Sequence, residues 1–109
     1  MNTLEILKAA RALIEDPERW CQGVEAVNAA GDPVAAVTEG ACRWCAVGAL
    51  GRTAPQGGLG LLDAFRGHLR ALGYSGDCFN DLVLLNDNVG HDAVLAAFDA
   101  AITRVEALT

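Results

Sequence analysis

The chain has 109 residues, 52% of them hydrophobic, and a formal net charge of −6. Its eight basic residues, scattered from Lys8 to Arg104, form no stripe able to neutralise a phosphate backbone, which argues against a nucleic-acid partner. No apolar run approaches the roughly 20 residues of a membrane span, and Met1-Asn2-Thr3-Leu4-Glu5 lacks the basic and apolar regions of a signal peptide.

These limits predict a single cytoplasmic globular domain over residues 1–109, with no membrane partner and its four cysteines as thiols. Along the chain, Asn2 and Glu5 have the spacing of a capping box. Leu4, Ile6, Leu7, Ala10, Leu13 and Ile14 then make a helical stripe that Asp16-Pro17 closes. Pro17 to Trp20 reads as a short helical turn leading into Cys21-Gln22-Gly23. Val24–Val27 and Val34–Val37 flank Ala30-Gly31-Asp32-Pro33, a strong turn signal, and predict a short β-hairpin. A hairpin alone is marginal in water, so this one must lie on helices.

The expected centre of the fold is Ala41 to Leu50. Thr38 is the expected N-cap of a helix running from about Glu39 to Thr53. Ala41, Cys45, Gly48 and Ala49 would line one face of that helix with small residues. A glycine inside a helix costs about 1 kcal/mol relative to alanine. Gly48 therefore makes sense where a neighbouring backbone stands in the place of a Cβ.

Ala54 to Gly58 reads as a loop. A further helix is expected over Leu59–Leu72, burying Leu62, Phe65, Leu69 and Leu72, with Gly73 at C′. Asp77–Leu85 is a short apolar run, taken as helix. Asn86-Asp87-Asn88-Val89-Gly90 reads as a loop that caps a last helix over His91–Leu108, with Val94, Phe98, Ala101, Ile102, Val105 and Leu108 turned inward. The sum is a mainly α fold: a small single-domain helical bundle of about four helices with a short β-hairpin.

Cys42-Arg43-Trp44-Cys45 is a C-x-x-C, and Cys42 would lie in the first turn of the central helix, where a thiolate is stabilised. The spacing resembles that of the all-α alkylhydroperoxidase proteins, which implies thiol redox chemistry on Cys42 and Cys45. Those proteins carry a histidine where this chain has Ala49. The competing reading is two buried thiols that pack like alanine. A zinc site needs two further ligands at matching spacing, and only the scattered Cys21, Cys78, His68 and His91 remain, so no metal or other cofactor is expected. A cysteine hydrolase would pair Cys45 with His91 as base and Asp87 as its orienting group. The run Asn86 to Asp92 fails the ligand spacing of a calcium loop. A buried indole needs an acceptor, and Asp87 is the candidate for Trp20 or Trp44.

Trp20-x-x-Gly23, the turn glycine Gly31, Trp44-Cys45-x-x-Gly48-Ala49 and Asn86-Asp87 occur in this order over most of the chain. The order resembles a family of small bacterial and phage proteins grouped as a domain of unknown function. That family often places a tryptophan before Asn-Asp, where this chain has Leu85. The resemblance implies no catalytic residue and no cofactor. It draws attention to Trp20, Gly23, Arg43, Trp44, Cys45, Gly48, Asn86 and Asp87 as one cluster for binding. The expected function is that of a non-enzymatic accessory protein, phage- or mobile-element-associated, acting through a protein partner. The alternative is a thiol redox protein using Cys42 and Cys45.

Overall fold

The first helix starts where the sequence places it. In the computed structural model, which describes residues 2–57 and 60–109, α1 spans Thr3–Ile14. Asn2 Oδ1 accepts from the Glu5 N–H at 2.9 Å, and the Asn2 N–H donates to Glu5 Oε1 at 3.1 Å, so the capping box is complete. The helix buries Ile6, Leu7, Ala10 and Ile14. A 3-10 turn over Pro17–Arg19 follows, capped by the Asp16 carboxylate.

Three short strands come next: β1 (Ala26–Asn28), β2 (Pro33–Val34) and β3 (Ala41–Trp44), in the order β2-β1-β3 and antiparallel throughout. The β1–β2 hairpin is the expected one, shortened. Gly31 turns it at φ +85°, and Asn28 Oδ1 accepts from the N–H groups of Ala30 and Asp32.

β3 corrects the expectation of one helix from Glu39 to Thr53. The chain runs extended through Ala41-Cys42-Arg43-Trp44, with Val27 opposite Arg43 and Ala26 opposite Trp44. The helix α2 begins only at Ala46 and ends at Thr53, with Cys45 as its N-cap. Thr38 caps nothing; its carbonyl accepts from Ala41 in the turn before β3. Ala41 and Cys42 are small enough for a close-packed helix or for a strand laid against β1, and the pairing with Val27 and Ala26 overrides alanine's weak strand preference.

In the second half, a 3-10 turn at Asp63–Phe65 runs into α3 (Arg66–Ala71). This replaces the continuous helix expected over Leu59–Leu72, whose first residue lies outside the described residues. Gly73 takes φ +97° just past the end, as its C′ position demands. Leu72 was expected inside but is the C-cap, and it turns out to solvent with half its surface exposed.

α4 (Cys78–Asn88) is capped by Asp77 and continues through Asn86, Asp87 and Asn88, where a loop was expected. None of those three caps α5 (His91–Ala107), which starts from Gly90 at φ +137°. Leu108 is exposed, while Ile102 and Val105 are half-buried against the core. α1 packs on α2 and α5, and the centre holds Leu7, Ile14, Phe65, Leu69, Leu82, Leu85, Val94 and Phe98. The rings of Phe65 and Phe98 meet edge to face at 5.1 Å. Among the described residues no helix is long and apolar enough to cross a membrane.

Candidate functional site

The junction between β3 and α2 is built on a sulfur. Cys45 leaves the strand with extended backbone, and its Sγ accepts from the Gly48 N–H at 3.2 Å, doing the work of a serine or aspartate cap. Its own N–H donates to the Glu25 carbonyl at 3.0 Å. That bond draws the Glu25 backbone onto the first turn of α2. A Cβ at Gly48 would stand 1.9 Å from the Glu25 carbonyl oxygen, so only glycine fits. The close backbone approach expected at Gly48 is present, and the neighbour is the chain leading into β1.

Asn86, on α4, faces this junction and is 1% exposed. Its Oδ1 accepts from the Trp20 indole Nε1–H at 2.7 Å and from the Ala46 N–H at 2.9 Å. Its Nδ2 donates to the Cys21 carbonyl at 3.1 Å and to Asp87 Oδ1 at 3.0 Å. All four bonding positions of the amide are used. Asp87 Oδ1 also accepts from the Gly23 N–H at 2.9 Å. Gln22 Nε2 donates to the Asn86 and Asp87 carbonyls, near the C-terminal end of α4. These bonds explain why Asn-Asp sits inside a helix. Both side chains, which in isolation favour turns, are satisfied by a distant segment.

The indole acceptor expected at Asp87 is therefore Asn86, and it serves Trp20. Trp44 lies elsewhere: its Nε1–H donates to the Ala36 carbonyl at 3.0 Å, and the guanidinium groups of Arg19 and Arg52 lie 5.6 and 5.7 Å from its ring centre. Arg43 is exposed on β3 and lines, with Trp20, Cys21 and Cys42, a wide depression of about 960 Å³.

The hydrolase constellation is not assembled. His91 donates from Nε2 to the Ile14 carbonyl and packs tilted against Trp20, with ring centres 5.2 Å apart, while the Asp87 carboxylate faces Gly23 and Asn86. The C-x-x-C does not open a helix either, because Cys42 lies on β3 and only Cys45 reaches the helix start. Burial pushes the Cys45 thiol up, and the opposing hydrogen bonds from Gly48 and Val47 do not outweigh it. Burial likewise pushes Cys21 up to about 11. Among the described residues no group of three His, Cys, Asp or Glu side chains is placed to hold a metal ion.

Beside the junction is a cleft of about 220 Å³ walled by Val24, Val47, Phe79 and Val83, with Glu25, Cys45, Asn86 and Asp87 supplying its polar side. A second recess of about 180 Å³, lined by Leu50, Gly51, Ala54, Leu61 and Leu62, shares Val47 and Phe79 with the first. The two recesses adjoin at Val47 on α2 and Phe79 on α4, which line both, and this pair of recesses is the groove between α2 and α4. Of the expected cluster, Gly23, Cys45, Asn86 and Asp87 meet at this cleft, and Gly48 packs behind it. Trp20 supports it through Asn86, whereas Arg43 and Trp44 are not part of its lining. Val24, Glu25, Val47, Phe79 and Val83 complete the lining and carry no motif that marks them in the sequence. The one local signal for them was Phe79 and Val83 at helical spacing, off the face of α4 that carries Leu82 and Leu85.

Residues 1–104 match a family of unknown function (DUF6197), and the chain belongs to that family. No curated protein and no solved structure matches the chain.

Proposed function

We propose that this family member is a non-catalytic protein-binding module and that the groove between α2 and α4 is its contact surface. The observation that carries the reading is Phe79. This phenylalanine on α4 is 47% exposed, and it lines both recesses. A large aromatic left half in water beside apolar recesses offers contiguous apolar area that a protein partner can cover. The polar groups beside the groove are engaged in holding the fold together, which leaves little for bond-making chemistry. A thiol redox role for Cys42 and Cys45 is the weaker reading, because burial keeps Cys45 protonated and Cys42 lies outside any helix N-terminus.

The test is site-specific photo-crosslinking in cells that express the chain. A photoreactive phenylalanine at position 79 or 83 should yield a discrete protein adduct. The same probe at Leu108, an exposed apolar position away from the groove, should not. Equal labelling from all three positions would remove the groove from consideration.

A further inference from the structure

Cys21 and Cys45 are far apart in the chain and side by side in the fold. Trp20 and Trp44 are partners in a parallel bridge, and the Cys21 N–H donates to the Trp44 carbonyl at 3.2 Å. That carbonyl carbon is bonded to the Cys45 nitrogen, so standard bond lengths hold the two cysteine Cα atoms within about 7 Å. Disulfide-linked Cα atoms usually stand roughly 4.4–6.8 Å apart. Side chains alternate along extended chains, so the residues following the two bridge partners turn to a common side. Beyond the bridge the Asn86 amide spans both chains, with Nδ2 on the Cys21 carbonyl and Oδ1 on the Ala46 N–H. Both cysteines also rest on one segment: Cys21 Sγ donates to the Val24 carbonyl at 3.6 Å, and the Cys45 N–H to that of Glu25 at 3.0 Å. After burial, the charge of Cys45 is the largest influence on the Cys21 thiol, ahead of Arg43, Asp87 and Cys42, which fits the same neighbour relation.

We propose that Cys21 and Cys45 are a disulfide-forming pair, closed by exchange with a small disulfide, oxidised glutathione. Cys42 and Cys45, the pair that the motif suggests, lie along one extended run, which sets their Cα atoms about 10 Å apart and out of reach. Cys21 and Cys45 differ in access. Cys21 is half-buried and lines the 960 Å³ depression, which a tripeptide disulfide can enter, whereas Cys45 is 7% exposed. The Cys21 thiolate attacks the glutathione disulfide, forming a mixed disulfide and releasing one glutathione thiolate. The Cys45 thiolate then attacks the Cys21 sulfur and releases the second. Two protein thiols thus give up two electrons and two protons, and one glutathione disulfide becomes two thiols. Burial holds both protein thiols protonated, so closure is slow at neutral pH and quickens as pH rises. The pair therefore answers sustained oxidation and does not turn over as a catalyst. Closed, it is a covalent clamp around β1, β2 and β3, from the loop before the sheet to the N-cap of α2.

The test equilibrates the whole native chain with reduced and oxidised glutathione over a series of ratios. Exchange is stopped with acid, the remaining thiols are alkylated under denaturing conditions, and linked residues are mapped by fragmentation mass spectrometry. The expected product lacks two hydrogens, carries no glutathione and joins Cys21 to Cys45, with Cys42 and Cys78 alkylated. It should melt about 5 °C or more above the reduced chain. Cys42→Ala should close the same bond, and Cys21→Ala should not. The map of the parent protein decides even where a variant misfolds. A bond from Cys42 to either cysteine, or glutathione retained on Cys21 without closure, would overturn the assignment. So would a native chain that keeps all four thiols at ratios that oxidise the urea-unfolded one, or a linked form that melts below the reduced chain.

Discussion

Asn86 Oδ1 accepts the Trp20 indole N–H at 2.7 Å, across 66 residues of chain. The same oxygen takes the Ala46 N–H at the start of α2, and the amide nitrogen reaches the Cys21 carbonyl. Two separate pieces of the sequence pattern, Trp20-Cys21 and Ala46, thus converge on one side chain of the third. The chemistry explains the residue type. The position needs two acceptor sites and two donors on one short, uncharged group, and asparagine supplies them.

Replacing Asn86 with leucine keeps similar bulk and removes every bond. The Trp20 indole and the Ala46 N–H then lose their acceptor in a buried place. The expected loss is about 3 kcal/mol or more, from two orphaned donors at roughly 1–3 kcal/mol each. Urea unfolding measures it. Asn88→Ala, on the exposed side of the same helix, should stay within about 0.5 kcal/mol of the parent.

Gly48→Ala and Gly51→Ala make a matched pair within α2. At Gly48 the new methyl would meet the Glu25 carbonyl oxygen at 1.9 Å, and a backbone atom cannot swing away. The expected cost is about 3 kcal/mol, at the upper end of overpacking. At Gly51 the nearest atom is Ala36 Cβ at 3.7 Å, an ordinary contact. There the gain in helix propensity should stabilise by up to about 1 kcal/mol. Thermal melting of the two variants should move in opposite directions. Two equal losses would mean that the close approach to Glu25 is not what demands glycine.

The contrast between these glycines also shows what the sequence could reveal. That Gly48 faces a backbone was legible from a glycine set among alanines in a helix. Which backbone it faces was not, because Glu25 reaches it only through the fold. α1 was legible in full, since its cap, stripe and stop lie within 16 residues. β3 was not, because Ala41 and Cys42 carry no local preference strong enough to oppose a helical reading, and the register with Val27 decides. Asn86-Asp87 looked like a turn for the same reason: the partners that hold both residues in a helix lie some 40 to 66 positions away. The cleft was half legible. Its polar floor belongs to the pattern, whereas its apolar walls come from helix faces whose outward side resembles any other surface.

Asp77 makes acid stability testable. The Asn80 backbone N–H, and then its side-chain amide, bond the Asp77 carboxylate and hold it below its ordinary 3.8. A folded pKa below the unfolded one contributes stability above pH 3.8 that is lost as pH falls through the folded value. Asn is as good a cap as Asp, so Asp77→Asn preserves α4 and removes only the titration. The parent's lead in melting temperature over this variant should be present at neutral pH and should narrow from pH 3.8 downward. A lead independent of pH would show that the cap carries no charge contribution.

Cys21 makes the alkaline side testable. Burial raises it from 9.0 to about 11, and the nearby Cys45 adds to the effect. A thiol whose folded pKa is raised contributes stability that is fully present below 9.0 and is lost as pH climbs through about 11. Cys21→Ala should flatten the parent's decline across that window. In the same vein, native protein at about pH 8 should react slowly with thiol reagents at Cys21 and Cys45, as raised thiol pKa values require. All four cysteines are free and should react at once after denaturation. Fast native reaction at Cys45 would restore the redox reading.

The bonds to Asn86 also have a bearing on time. They close loops of 40 and 66 residues, and such contacts gain nothing until most of the chain has been brought together. Helices α1, α4 and α5, whose own hydrogen bonds are local, can form before that point, so the asparagine is expected to engage after the rate-limiting barrier to folding. Loss of a contact made that late leaves the folding rate nearly unchanged and appears as faster unfolding. Asn86 is then a latch: it does little to speed the molecule into its shape and governs how long the molecule stays there.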